Sequence, residues 1–188
     1  MLPEFLTIKT IYLIIHVFGA ILGAGGAFIS DAIFFKTIKD GVIENTELSF
    51  MKLVGKLVWL GVFILIVSGT LLFFTSPVDY LNSPKFLVKV TIVAIIILNG
   101  IIFHLIHLPN ISRHLGLKIN ESQTFRKKST FLIVSGAVSM VSWISTVILG
   151  MLRQVPYSYL EILSLYFLLL IFAIVISILT KNRIFNIK

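Results

Sequence analysis

The chain of 188 residues contains no cysteine. That removes disulfides, thiol nucleophiles, cysteine-bound iron–sulfur clusters and zinc–thiolate sites together. Charge is scarce as well. Asp, Glu, Lys and Arg make up 13% of the residues, where an ordinary soluble domain has about 25%. Acidic residues are the rarest, eight against sixteen basic ones. The chain also has no nucleophile elbow, zinc-protease helix, phosphate loop or dinucleotide fingerprint. The glycines between Gly19 and Gly26 lie inside an apolar run with no strand ahead of them. Nothing in the sequence supports hydrolytic chemistry.

What fills the chain is hydrocarbon. Hydrophobic residues make up 57% of it, and the mean hydropathy is +1.04. Five runs, 8–35, 53–75, 86–107, 131–152 and 159–179, reach the roughly 20 residues that a helix needs to cross a bilayer. They predict an all-α polytopic transmembrane bundle of five spans, with residues 1–188 as one unit. The first run exceeds the roughly 7–15 apolar residues of a signal peptide and is expected to be the first span. The net charge of +8 would suggest nucleic acid in a soluble protein. Here it is assigned to loops that orient the bundle, and no nucleic-acid partner is expected.

Lys and Arg divide unevenly between the two ends. Twelve of them (Lys36, Lys39, Lys52, Lys56, Arg113, Lys118, Arg126, Lys127, Lys128, Lys181, Arg183 and Lys188) fall at the ends reached by the first and third loops and the C-terminus. Four, Lys9, Lys85, Lys89 and Arg153, fall at the opposite end. Positive charge is retained on the cytoplasmic side. The N-terminus is therefore expected outside and the C-terminus in the cytoplasm, in a membrane read as a prokaryotic cytoplasmic membrane.

The stretch from Pro84 to Pro109 concentrates the chemistry. Lys89 lies in its first turns, with His104 and His107 in its last. An unpaired charge at the centre of a span costs about 2.5–3.5 kcal/mol on insertion scales, so Lys89 calls for a partner or an interfacial position. The first span offers His16 on a stripe with Gly19, Gly23, Gly26, Ala27 and Ser30. Such a stripe admits a neighbouring helix or a flat ligand. Gly100 gives the third span a similar opening on the line of Lys89. Ser135, Ser139, Ser142 and Thr146 share one line of the fourth span, where hydroxyls commonly bond their own i−4 carbonyls. Trp59 and Trp143 lie within spans, either packed or flanking a ring-shaped ligand.

Depth sorts the pairings. At 1.5 Å per residue, His16 and Lys89 sit roughly 8 and 12 Å to the outer side of their helix centres. His104 and His107 sit roughly 10 and 15 Å to the inner side. His16 and Lys89 can meet, whereas His16 and His104 are too far apart to share one metal. Asp31 matches His107 in depth. That inner group reads as an ion pair near the interface, or else as a proton relay or second metal position with His104. His114, in the basic loop, is expected in solvent.

A first helix with His in its outer half, followed by a helix opening with FLVKVTIV, resembles the small membrane haem-b proteins of the HemJ-type protoporphyrinogen oxidase group. It is similar in plan to the copper-resistance D-like membrane domains. The resemblance implies haem b held by His16 and Lys89, with Gly19, Gly23 and Gly100 lining its approach. Asp31, His104 and His107 are secondary metal candidates. It further implies a membrane oxidoreductase that transfers electrons to a redox partner or oxidises a lipophilic small molecule in the bilayer. Two other readings stand beside it. One is a small transporter or channel-like protein using the intramembrane His, Lys and Asp. The other is a non-catalytic membrane subunit, where a glycine face would serve a homodimer.

Overall fold

The computed structural model describes residues 7–117 and 123–184, so Lys118 and Lys188 of the basic set lie outside the described residues. The chain forms α1 (Ile8–Asp40), α2 (Asn45–Thr75), the short α3 (Pro77–Leu81), α4 (Pro84–Ile102), α5 (Leu108–Arg113), α6 (Gln123–Met151) and α7 (Tyr159–Ile184). Five helices are long and apolar enough to span a bilayer. Their outer faces carry large bare side chains such as Phe18, Phe63 and Leu168, as expected where lipid replaces water. The protein is an integral membrane helical bundle.

Local chemistry sets the helix ends. The Thr7 hydroxyl accepts the Thr10 amide at the start of α1. Glu44 and Glu47 form a reciprocal cap on α2, and Ser158 and Glu161 do the same ahead of α7, at 2.7 Å and 3.4 Å. Such caps satisfy amides that lack an intrahelical carbonyl. At the C-terminal end of α1, Gly41 adopts a left-handed φ of 78° and bonds back to Thr37, as glycine readily does. The helices consequently extend past the apolar runs that announce them.

The third span departs from expectation. The third apolar run ends at residue 107, yet helix continues to Arg113, with a π-helical turn over Phe103–His107 between α4 and α5. A proline ring crowds the carbonyl four residues earlier. Widening the preceding turn to i→i−5 bonds lets the chain stay helical past Pro109. His114 is also not in solvent. It is buried, bonded through Nδ1 to the Asn110 carbonyl at 2.7 Å, and set edge-on against Phe125. The Gly116 amide bonds the Ile43 carbonyl at 2.9 Å, joining the two loops at that end.

α1 packs chiefly along α2, and α4 packs with α6 and α7. The two groups meet mainly through α1 against α6. The core is divided lengthwise. One buried cluster includes Val62, Val88, Ile92 and Trp143. The other, at the basic-loop end, includes Ile43, Met51, Ile111 and Phe125.

Candidate functional site

A chamber occupies the division between these clusters. Its volume is about 170 Å³, and all five spans contribute to its wall. α1 brings Ala27, Ser30 and Asp31, α2 brings Gly55 and Trp59, and α4 brings Asn99 and Gly100. α6 supplies Ser135, Gly136, Ser139 and Trp143, and α7 supplies Ser177. The chamber exists because bulky and small positions are matched unevenly. Trp59 covers Gly100, where an added Cβ would stand 3.4 Å from the ring. Trp143 covers Gly23 so closely that a Cβ there would overlap it. The two indoles thus bridge the two helix groups. Neither indole covers Gly55, beside which nothing lies within 4 Å, or Gly136, where an added Cβ would meet only Asp31 Oδ1 at 4.0 Å.

The wall is mostly apolar, and two of its polar groups, Asn99 and Ser135, are committed to each other. Asn99 donates from Nδ2 to the Ser135 carbonyl at 3.0 Å and accepts from Ser135 Oγ at 2.7 Å. Asp31 differs from that pair. Its Oδ2 is buried without a hydrogen-bond partner, and its Oδ1 faces Gly136. A buried polar atom without a partner is costly and uncommon. Here the orphaned oxygen belongs to the one carboxyl that the described residues place on the chamber wall. His104, exposed, is the other titratable side chain of that wall.

Asp31 and His107 do not pair. His107 lies 4.8 Å from the Phe131 ring and 6.2 Å from the Phe103 ring, centroid to centroid. Its Nε2 is likewise buried without a partner. The π-helical turn directs it into this aromatic pocket and leaves His104, one turn earlier, on the chamber wall. Among the described residues, no three His, Asp or Glu side chains gather as a metal site.

At the opposite end, His16 is half-buried and its Nδ1 lies 2.9 Å from Ser68 Oγ. The Ser68 hydroxyl donates to the Ile64 carbonyl at 2.5 Å. Its proton being so used, Ser68 can only accept from His16, which puts the imidazole hydrogen on Nδ1 and leaves the Nε2 lone pair free. Lys89 is near enough for its charge to act on the His16 ring, and the charge of Lys85 acts on Lys89 in turn. Lys85 itself holds the Leu152 carbonyl at 2.6 Å, a cation at the C-terminal end of α6, where the helix dipole favours one.

The glycine stripe is occupied by protein. Gly19 faces Ile64, Leu65 and Gly61 of α2, and Gly26 faces Val58. In α6, Ser142 and Thr146 bond the carbonyls four residues back, as expected, while Ser135 turns to Asn99. The Asn99–Ser135 pair was detectable as a lone Asn-Gly step in one apolar span and a hydroxyl line on another. The seating of each tryptophan on a glycine of another helix left no pattern within either helix alone. No family model matches the chain, and neither a curated protein nor a solved structure is significantly similar to it.

Proposed function

We propose that this membrane bundle is a small-molecule binding protein of the carrier type, whose ligand sits in the chamber with Asp31 as its polar anchor. The observation that carries this reading is the unpartnered Oδ2 of Asp31 on a cavity wall. A polar residue buried in a membrane protein tends to mark a binding or transport pathway. Ligand pockets are typically apolar, with a few convergent polar groups. The size is suitable for a small ligand. An engineered cavity of about 150 Å³ in another protein admits benzene, and this chamber measures about 170 Å³. The excess of Lys and Arg at the near end supports a chamber set toward the cytoplasmic side.

Trp59 and Trp143 are the only tryptophans of the chain, and both line the chamber. Intrinsic fluorescence of the protein in nanodiscs therefore reports its occupancy. Benzyl alcohol, benzylammonium and benzoate serve as one-ring probes. At least one is expected to change the emission saturably, and Gly136→Leu, which fills the open wall beside Asp31, is expected to abolish that change. If no probe has an effect in the folded wild-type protein, the reading is wrong.

A second reading, b-type haem at His16 and Lys89, is supported by the Ser68 contact. An imidazole that donates from Nδ1 to an oxygen and keeps Nε2 free has the arrangement of a metal-ligating histidine. The chamber wall includes neither residue, so haem would have to lie outside it. His16 would supply the axial nitrogen through Nε2, and Lys89 a second ligand or a propionate contact. Haem bound there would supply one-electron chemistry, its potential tuned by the axial ligand and its surroundings. An absorption spectrum after expression with ample haem tests this. A Soret band lost in His16→Ala is expected on this reading, and a colourless protein excludes it.

A further inference from the structure

We infer that the chamber selects a monovalent aromatic ammonium over neutral or anionic molecules of the same shape; this rests on the carrier reading and specifies its substrate class. The chain carries sixteen Lys and Arg residues, yet among the described residues none lines the chamber. Among the described residues facing Asp31 from the helices packed around it, His104 is the one titratable side chain. α2 presents Gly55 and Trp59, α6 presents Ser135, Gly136 and Ser139, and α7 presents Ser177. An anion would meet the Asp31 carboxyl with no Lys or Arg of the described wall to offset it. A neutral molecule would leave the carboxyl without a counter-charge.

An ammonium supplies what the wall lacks. Its N–H groups can reach Oδ2 of Asp31, the oxygen without a donor. The rest of the wall suits the same ligand. Trp59, Trp143, Phe34, Phe35 and Phe103 all contribute to the chamber. The negative face of an aromatic ring attracts a cation, tryptophan most strongly, and the attraction grows when water is excluded. The Asn99–Ser135 pair is closed on itself and competes little for the ligand. One carboxylate and several rings define a site for one positive charge attached to a flat apolar body. The volume of about 170 Å³ confines that body to about one ring.

The test is a fluorescence titration of the full-length protein in nanodiscs with benzylammonium, benzyl alcohol and benzoate at neutral pH. Benzylammonium is expected to bind at least tenfold more tightly than benzyl alcohol, and benzoate not to bind. In Asp31→Asn the ratio of benzylammonium to benzyl alcohol is expected to fall to about one, with benzyl alcohol affinity retained. If benzyl alcohol or benzoate binds as tightly as benzylammonium in the wild type, the inference is overturned while the carrier reading survives. If none of the three binds, both are overturned. An unchanged ratio in folded Asp31→Asn also overturns the inference. Should that variant not fold, the wild-type ratio alone decides.

Discussion

Gly61 of α2 meets Gly23 of α1 backbone to backbone: a Cβ added to Gly61 would overlap the Gly23 amide nitrogen and stand 2.8 Å from the Gly19 carbonyl oxygen. Small residues at this crossing let the two helices approach closely, the usual basis of association where lipid offers no hydrophobic driving force. Backbone atoms cannot swing aside as a side-chain tip can. Gly61→Ala is therefore expected to separate α1 from α2 and destabilise the bundle by about 1–3 kcal/mol, the usual range for overpacking. At Gly25 an added Cβ meets nothing within 4 Å, so Gly25→Ala should lie within about 0.5 kcal/mol of wild type. Reversible unfolding in mixed micelles measures both. Equal effects would contradict the packing described.

The His16–Ser68 contact makes a prediction independent of any cofactor. Because Ser68 Oγ donates to Ile64 at 2.5 Å, the His16 proton is assigned to Nδ1. Nitrogen-15 NMR of selectively labelled histidine should show the Nδ1–H tautomer for His16. In Ser68→Ala that preference should weaken, since only the Leu65 carbonyl remains to accept from the ring. An Nε2–H tautomer in the wild type would remove the structural support for His16 as an axial ligand.

The Asn99–Ser135 pair joins α4 to α6 by two bonds of different kinds, one to a carbonyl of the backbone and one to a hydroxyl. Ser135→Ala removes the hydroxyl bond alone, whereas Asn99→Ala removes both. Interhelical hydrogen bonds in membranes average about 0.6 kcal/mol and reach about 1.7. Asn99→Ala should therefore cost about 1–2 kcal/mol and Ser135→Ala about half as much. A double-mutant cycle should be non-additive, because the hydroxyl bond can be lost only once. Additive losses would mean that the two residues are not coupled.

These contacts show which features the sequence made visible. Five spans were legible because apolar length is a property of each segment alone, whatever it packs against. The depth of His16 and Lys89 followed from counting residues, because rise per residue is the same in any helix. The helix ends were underestimated, since Asn45, Glu47 and Thr130 are polar yet helical. Pro109 reads as a stop, but a π-helical turn accommodates it. Orientation about each helix axis was the hardest property to read. Where most positions are apolar, a lipid-facing surface and a helix-facing surface look alike. The stripe of Gly19, Gly23 and Gly26 could face helix or ligand. It faces α2 and Trp143. The chamber was hidden for the same reason, because its wall takes a few residues from each of five helices.

Asp31 offers the sharpest separation between a structural and a functional role. A buried oxygen without a donor does not stabilise the bundle, and removing an uncompensated polar group in favour of an apolar one of similar size is often stabilising. Asp31→Leu is therefore expected to raise resistance to unfolding by about 1–3 kcal/mol while abolishing benzylammonium binding. Such opposition is characteristic of residues kept for function at a cost in stability. A structural aspartate would behave in the opposite way, with Asp31→Leu unfolding more easily because some bond had been lost. Unfolding midpoint and probe affinity measured on the same preparation distinguish the two. A stabilised variant that still binds benzylammonium would place the binding site away from Asp31.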